Sequence, residues 1–187
     1  MKRTLPWYHQ WLRGADRCQS WLAAQPSMAA AWAAEDAPIE WLFASLDHAA
    51  EHRGVMGQPP IEHPDRVVAL AVALADAAQE FVPAGEHRPG EALALARLGP
   101  VQGIPWQVHA AREARAGLGD AAHFAAHAAE VTLDLASGGG PAPRGWKTVE
   151  RIYFAALNAF KLAGRLAEGE STLGAIVRAH LPDPPTR

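Results

Sequence analysis

The chain has 187 residues, 49% of them hydrophobic and 20% charged, enough to bury a core and too apolar to remain disordered. Seventeen Lys and Arg against twenty Asp and Glu leave a formal charge of −3, which argues against a protein built mainly to grip a phosphate backbone. The single cysteine, Cys18, excludes an intramolecular disulfide framework and a Cys-rich zinc site, and no apolar run is long enough for a membrane span.

No alternating β-branched run and no Asn-Gly or Asp-Gly turn suggests a strand. Alanine-rich stretches instead recur with helical spacing, punctuated by 15 prolines and 16 glycines. The chain therefore reads as one all-α domain over 1–187, an orthogonal or irregular bundle of about six to eight helices. A first helix is expected over 6–24, a short one over 27–34 capped by Ser27, and a third over 38–53 stopped by Gly54. Prolines bar helix from 54–64. The helix expected over 65–82 is the most hydrophobic, with Val67, Val68, Leu70, Val72, Leu74, Phe81 and Val82 leaving little polar face. That places it at the bundle centre. Shorter helices follow over 89–98 and 105–116, then one over 120–136 with Asp120 as its cap. Residues 137–145 read as a flexible Gly/Pro loop. The helix expected over 148–167 carries Ile152, Tyr153, Leu157 and Phe160, which need earlier helices to cover them. A last helix capped by Ser171 runs to His180, and 181–187 reads as a frayed tail.

Nine histidines include two pairs at i,i+4 spacing, His48 with His52 and His123 with His127. Residues four apart share a helical face and can hold one metal ion. Two such helices, with His109 as a further donor, would suit zinc or another transition metal, and Asp47, Glu51 or Glu130 would then fix the imidazole tautomers. The plainer alternative is a pair of solvated helix faces. At about 100° per residue, Ile39, Leu42, Phe43, Leu46 and Ala50 form the apolar face of the third helix and turn His48 and His52 outward beside Trp41 and Ser45. On the later helix His123, His127, Glu130 and Asp134 border the apolar stripe of Phe124, Ala128, Val131 and Leu135, so this pair is partly sheltered. Ala49 follows His48 and Phe124 follows His123, so the His-Glu-x-x-His of zinc peptidases is absent.

A nucleophile is equally hard to find. Cys18 shares a helical face with Trp7, Trp11 and Leu22, which predicts a buried, inert thiol. No Gly-x-Ser-x-Gly elbow occurs, and Gly138-Gly139-Gly140 lacks the Gly-Lys-Ser/Thr ending of a phosphate loop. Five of the seven tryptophans lie in the first 41 residues. Such side chains either fill the space that alanine-lined helices leave or anchor a contact with a partner. Trp41, Ser45, His48 and His52 form the expected outward ridge, with Trp7, Tyr8 and Trp11 as a second candidate surface.

Residues 75–82, then Glu86-His87-Arg88-Pro89-Gly90-Glu91-Ala92-Leu93, and the Ala/His stretch 121–129 resemble small alanine-rich helical bacterial immunity proteins. The resemblance covers about a third of the chain and rests on Arg-Pro followed by an alanine-rich helix and a later Ala/His helix. It implies a cytoplasmic protein that works by binding a partner, and it carries no site residues across. The sequence thus predicts a non-catalytic, immunity- or adaptor-like bacterial protein that binds another protein, with no cofactor, nucleic acid or membrane involved and self-association compatible with an exposed Trp ridge. The alternative is a metal-binding helical protein, extending to a metal-dependent enzyme, using His123 and His127 with His48, His52 or His109. A small-molecule pocket between alanine-lined helices is a third reading.

Overall fold

The computed structural model describes residues 18–55, 64–99, 105–138, 145–182 and 184, with the backbone alone at 52–55 and 64. Among the described residues there are nine α-helices, one 3-10 turn and no strand, the all-α class that the alanine periodicity predicts. The chain divides into two compact units, Met1–Ile61 with Pro182–Arg187, and Glu62–Leu181. Among the described residues no helix is long and apolar enough to cross a membrane.

The first unit contains α1 (Gln19–Ala24), α2 (Met28–Ala33) and α3 (Ile39–Val55). Six-residue helices such as α1 and α2 do not persist by themselves, so packing must hold them. Ser27 caps α2 as predicted, its Oγ accepting from the Ala30 N–H at 3.2 Å. Cys18 is buried, as its helical face implies. The expected stop at Gly54 does not occur, because α3 continues through it to Val55.

Tryptophan organises this unit from within. Trp41 is fully buried, with Trp21 tilted against it at 5.5 Å between ring centroids and Trp32 edge-on at 6.0 Å. The Trp32 indole N–H donates to the Pro182 carbonyl at 3.2 Å, and that of Trp21 to Asp36 Oδ2 at 3.0 Å. The outward ridge expected on α3 is therefore corrected: Trp41 and Ser45 are both fully buried, and His48 is half-buried. A wheel sorts residues by polarity along one helix, but here indoles from two other helices cover the side it turns outward. Trp7, Tyr8, Trp11 and the His52 side chain lie outside the described residues.

The second unit contains α4 (Pro64–Ala77), a 3-10 turn (Gln79–Phe81), α5 (Arg88–Ala96), α6 (Trp106–Gly117), α7 (Asp120–Ala136), α8 (Gly145–Leu162) and α9 (Leu166–His180). Its central helix is α7, which packs against α4, α5, α6 and α8 and buries Ala125, Ala126, Ala128, Ala129, Val131 and Leu133. The 65–82 stretch shares the interior, its α-helix packing against α5, α7, α8 and α9, but that helix ends at Ala77 and keeps Asp65, Arg66, Ala69 and Asp76 exposed. Thin alanine side chains let several neighbours approach one axis, so centrality follows size as well as hydropathy. Thr132 is accommodated in this interior because its hydroxyl donates to the Ala128 carbonyl of its own helix at 2.8 Å.

Three helix starts differ from expectation: α8 begins at Gly145, ahead of Thr148, and ends at Leu162, short of Ala167. Asp120 provides no side-chain cap; Gly119 is the N-cap residue, and Asp120 follows in the left-handed region at φ 48°. The last helix begins at Leu166, ahead of Ser171, because the preceding turn fixes its entry. Gly164 (φ 76°) closes α8, with its N–H donating to the Lys161 carbonyl at 3.0 Å and that of Arg165 to the Phe160 carbonyl at 2.8 Å. This is the Schellman pattern. The Arg165 guanidinium then lies over the Phe81 and Phe160 rings, at 5.3 and 5.5 Å from their centroids, while donating to Glu80 at 2.6 Å and to Glu168 at 2.7 Å. This clasp joins the α8–α9 corner to the 3-10 turn. Residues 139–144 of the expected loop, and 183 and 185–187 of the expected tail, lie outside the described residues.

The Arg-Pro segment behind the immunity-protein resemblance has a structural duty. Glu86 accepts from the Arg88 backbone N–H at 3.1 Å and from its Nε at 2.8 Å, placing a carboxylate at the start of α5, where the helix dipole favours negative charge. The Arg88 side-chain hydrogen bond holds the Glu86 carboxyl down to about 2.

Candidate functional site

The α6–α7 hairpin carries the densest cluster of ionisable side chains described in the second unit. Helix α6 turns Val108, Ala110, Ala111 and Ala114 inward. That periodicity leaves Trp106, His109, Arg112, Glu113 and Ala116 exposed on its outer face. Trp106 is 64% exposed. After the short Leu118-Gly119 link, α7 brings His123, His127 and Glu130 to the flank of α6.

Glu130 is the anchor, a carboxylate with only 5% of its surface exposed. Arg112 Nε donates to its Oε1 at 2.7 Å, and Arg115 Nη1 lies 3.2 Å from Oε2. Arg115 Nη1 also lies 2.6 Å from His127 Nδ1, a closer contact than the 3.5 Å between that Nδ1 and Glu130 Oε2. A guanidinium can only donate, so the shorter contact makes His127 Nδ1 an acceptor and puts the ring proton on Nε2. His123 has the opposite tautomer: its Nδ1–H donates at 3.0 Å to the Arg115 carbonyl, which also accepts from the Leu118 N–H at 3.2 Å at the end of α6.

Arg115 thus occupies both rings of the i,i+4 pair, one through its carbonyl and the other through its guanidinium. A dication seated on the pair would meet the Arg112 and Arg115 charges at close range. Of the other expected metal donors, His109 is exposed on the outer face of α6, and His48 belongs to α3 in the first unit. Among the described residues no group of three or more His, Cys, Asp or Glu is arranged to hold a metal ion. Glu130 does lie beside His127, as the sequence suggests, but it serves the two arginines first.

Burial alone would raise the Glu130 carboxyl. The Arg112 guanidinium at Oε1, with the charges of Arg115 and Arg112, outweighs that and holds it below the ordinary carboxylate range. Such a group is ionised at neutral pH and is a poor proton acceptor, so its chemistry is that of a fixed counter-ion. The folded value lies below the ordinary 4.5, so the contribution to stability is fully present above about 4.5 and is lost as pH falls towards 2. Urea unfolding at pH 6 and pH 3 measures this directly: wild type should lose about 2 kcal/mol more between the two pH values than Glu130→Gln does. Equal losses in both proteins would show that Glu130 is not clamped.

Sequence reasoning overlooked Trp106 and both arginines. The signal for Trp106 was present, since Pro105 opens a helix whose apolar positions Val108, Ala111 and Ala114 place the indole away from them. The Arg112–Glu130 partnership joins residues 18 apart, and no spacing rule reaches that far.

No family model, curated protein or solved structure matches this chain.

Proposed function

We propose that the protein is a non-catalytic helical module that binds another protein through the outer face of α6. The observation that carries this reading is the exposed indole of Trp106. The other described tryptophans, Trp21, Trp32, Trp41 and Trp146, are buried or half-buried, whereas Trp106 stands 64% exposed on a helix whose flank is locked by the Glu130 cluster. Tryptophan on a rigid element is an effective anchor, because burying it in a partner gains much area at little cost in side-chain freedom. Trp106, His109 and Glu113 follow the i, i+3, i+7 spacing of a helix laid into a groove. The Trp-containing surface expected on α3 is thus reassigned to α6. The resemblance to bacterial immunity proteins supports a protein as the partner, in an immunity- or adaptor-like role.

A photo-crosslinking amino acid at position 106, with one at exposed position 170 on α9 as control, tests this in cells. One discrete crosslinked protein is expected from 106 and not from 170. Trp106→Ala should then weaken the purified complex by about 30-fold or more, in line with the loss of a central aromatic anchor. A complex indifferent to Trp106→Ala, or no crosslinked protein at 106, would sink the assignment.

A further inference from the structure

We infer that Arg112 is the charge-recognising residue of the α6 face, and that the partner protein sets an Asp or Glu carboxylate against it with a Lys or Arg alongside; this rests on reading that face as the docking surface. The Arg112 side chain is 53% exposed, yet its Nε is held at 2.7 Å by a carboxylate that is itself buried. A guanidinium has two donor edges. Bonding through Nε leaves the terminal Nη pair, which makes no other hydrogen bond among the described residues, as a fork of the geometry that grips a carboxylate through two parallel bonds. Glu130 therefore acts as a positioning residue: it fixes the side chain from behind and leaves the outer edge open.

Glu113 decides what kind of anion fits. It is exposed on the same outer face, directly after Arg112. A uniformly anionic surface such as a nucleic acid would meet Glu113 wherever it met Arg112. A protein can instead alternate its charges, with an acid opposite Arg112, a base opposite Glu113 and an apolar pocket for Trp106. Asp134 on α7 adds to the negative field around Arg112, which favours a partner that brings a base beside its acid.

The test uses the full chain and, as probe, a synthetic alanine-rich helical peptide carrying one Leu, one Glu and one Lys, with its Glu→Gln version as control. The readouts are the NMR signals of the Trp106 indole N–H and the Arg112 Nε–H. The Glu peptide should shift both, and the Gln version should bind about tenfold more weakly. Arg112→Ala should abolish the difference between the two peptides, and Arg112→Lys should restore only part of it, because an ammonium lacks the fork. Glu130→Gln, compared at neutral pH with its folded fraction checked by circular dichroism, should reduce the difference without removing it. Equal binding of both peptides, failure of the Glu peptide to shift either signal, or stronger shifts from a single-stranded oligonucleotide would each overturn the inference. A crosslinked partner at position 106 that ignores Arg112→Ala would overturn this inference alone and leave the α6 docking face standing.

Discussion

Trp41→Ala is expected to destabilise the first unit by about 3–5 kcal/mol, the cost of emptying a large aromatic site that cannot collapse. The indole is fully buried and contacts two further tryptophans, at 5.5 Å and 6.0 Å between ring centroids, so its removal strips a packing partner from α1 and α2 together. Neither six-residue helix persists without such contacts. Trp41→Phe keeps an aromatic ring in place and should cost about half as much. Chemical unfolding followed by tryptophan fluorescence and far-ultraviolet circular dichroism measures both variants. A Trp41→Ala loss under about 1 kcal/mol would mean that the residue faces solvent after all, as an isolated helical wheel suggests.

The second large effect has a diagnostic sign. An exposed mid-helix glycine normally gains about 1 kcal/mol when replaced by alanine, because the unfolded chain loses freedom. Gly169→Ala should instead lose about 2 kcal/mol. A Cβ built at Gly169 would stand 2.6 Å from Phe160 Cβ and 2.7 Å from its Cγ, at the root of the ring, where no rotamer change gives relief. Helix α9 would have to move away from α8, disturbing the Phe81–Phe160 edge-to-face pair at 4.9 Å and the Arg165 side chain above it. Gly90→Ala on α5 is the control: nothing lies within 4 Å of its Cβ position, so it should gain up to about 0.5–1 kcal/mol. Thermal melts of the two variants beside wild type decide the matter, and a stabilised Gly169→Ala would disprove the close approach of α8 and α9.

Helices were easier to read from the sequence than the neighbours each would acquire. The span of α7, 120–136, follows from its periodicity and from the glycines on either side. Its central position does not, because hydropathy ranks the valines and leucines of α4 above a row of alanines. The same limit hid the environment of Trp41. Polarity along α3 turns this residue outward, and only the tertiary arrangement supplies Trp21 and Trp32 to cover it. At the α6–α7 site the sequence correctly set Glu130 beside the histidines, since all three share one stripe of one helix. It overlooked that Arg115 would reach both rings, because that depends on how two helices pack. Trp106 is the reverse case. Its exposure could be anticipated from α6 alone, and the crowd of tryptophans near the start of the chain drew attention elsewhere.

The hydrogen bond from Trp32 to the Pro182 carbonyl has a consequence for biosynthesis. A ribosome releases the chain from residue 1 onwards, and 149 residues separate Trp32 from Pro182 in the sequence. Glu62–Leu181 is continuous and can mature as it emerges, whereas the earlier unit must wait until Pro182 has been made before its own architecture closes. Nascent chains halted just short of 182 should therefore leave the leading segment more open to protease than the full-length product does.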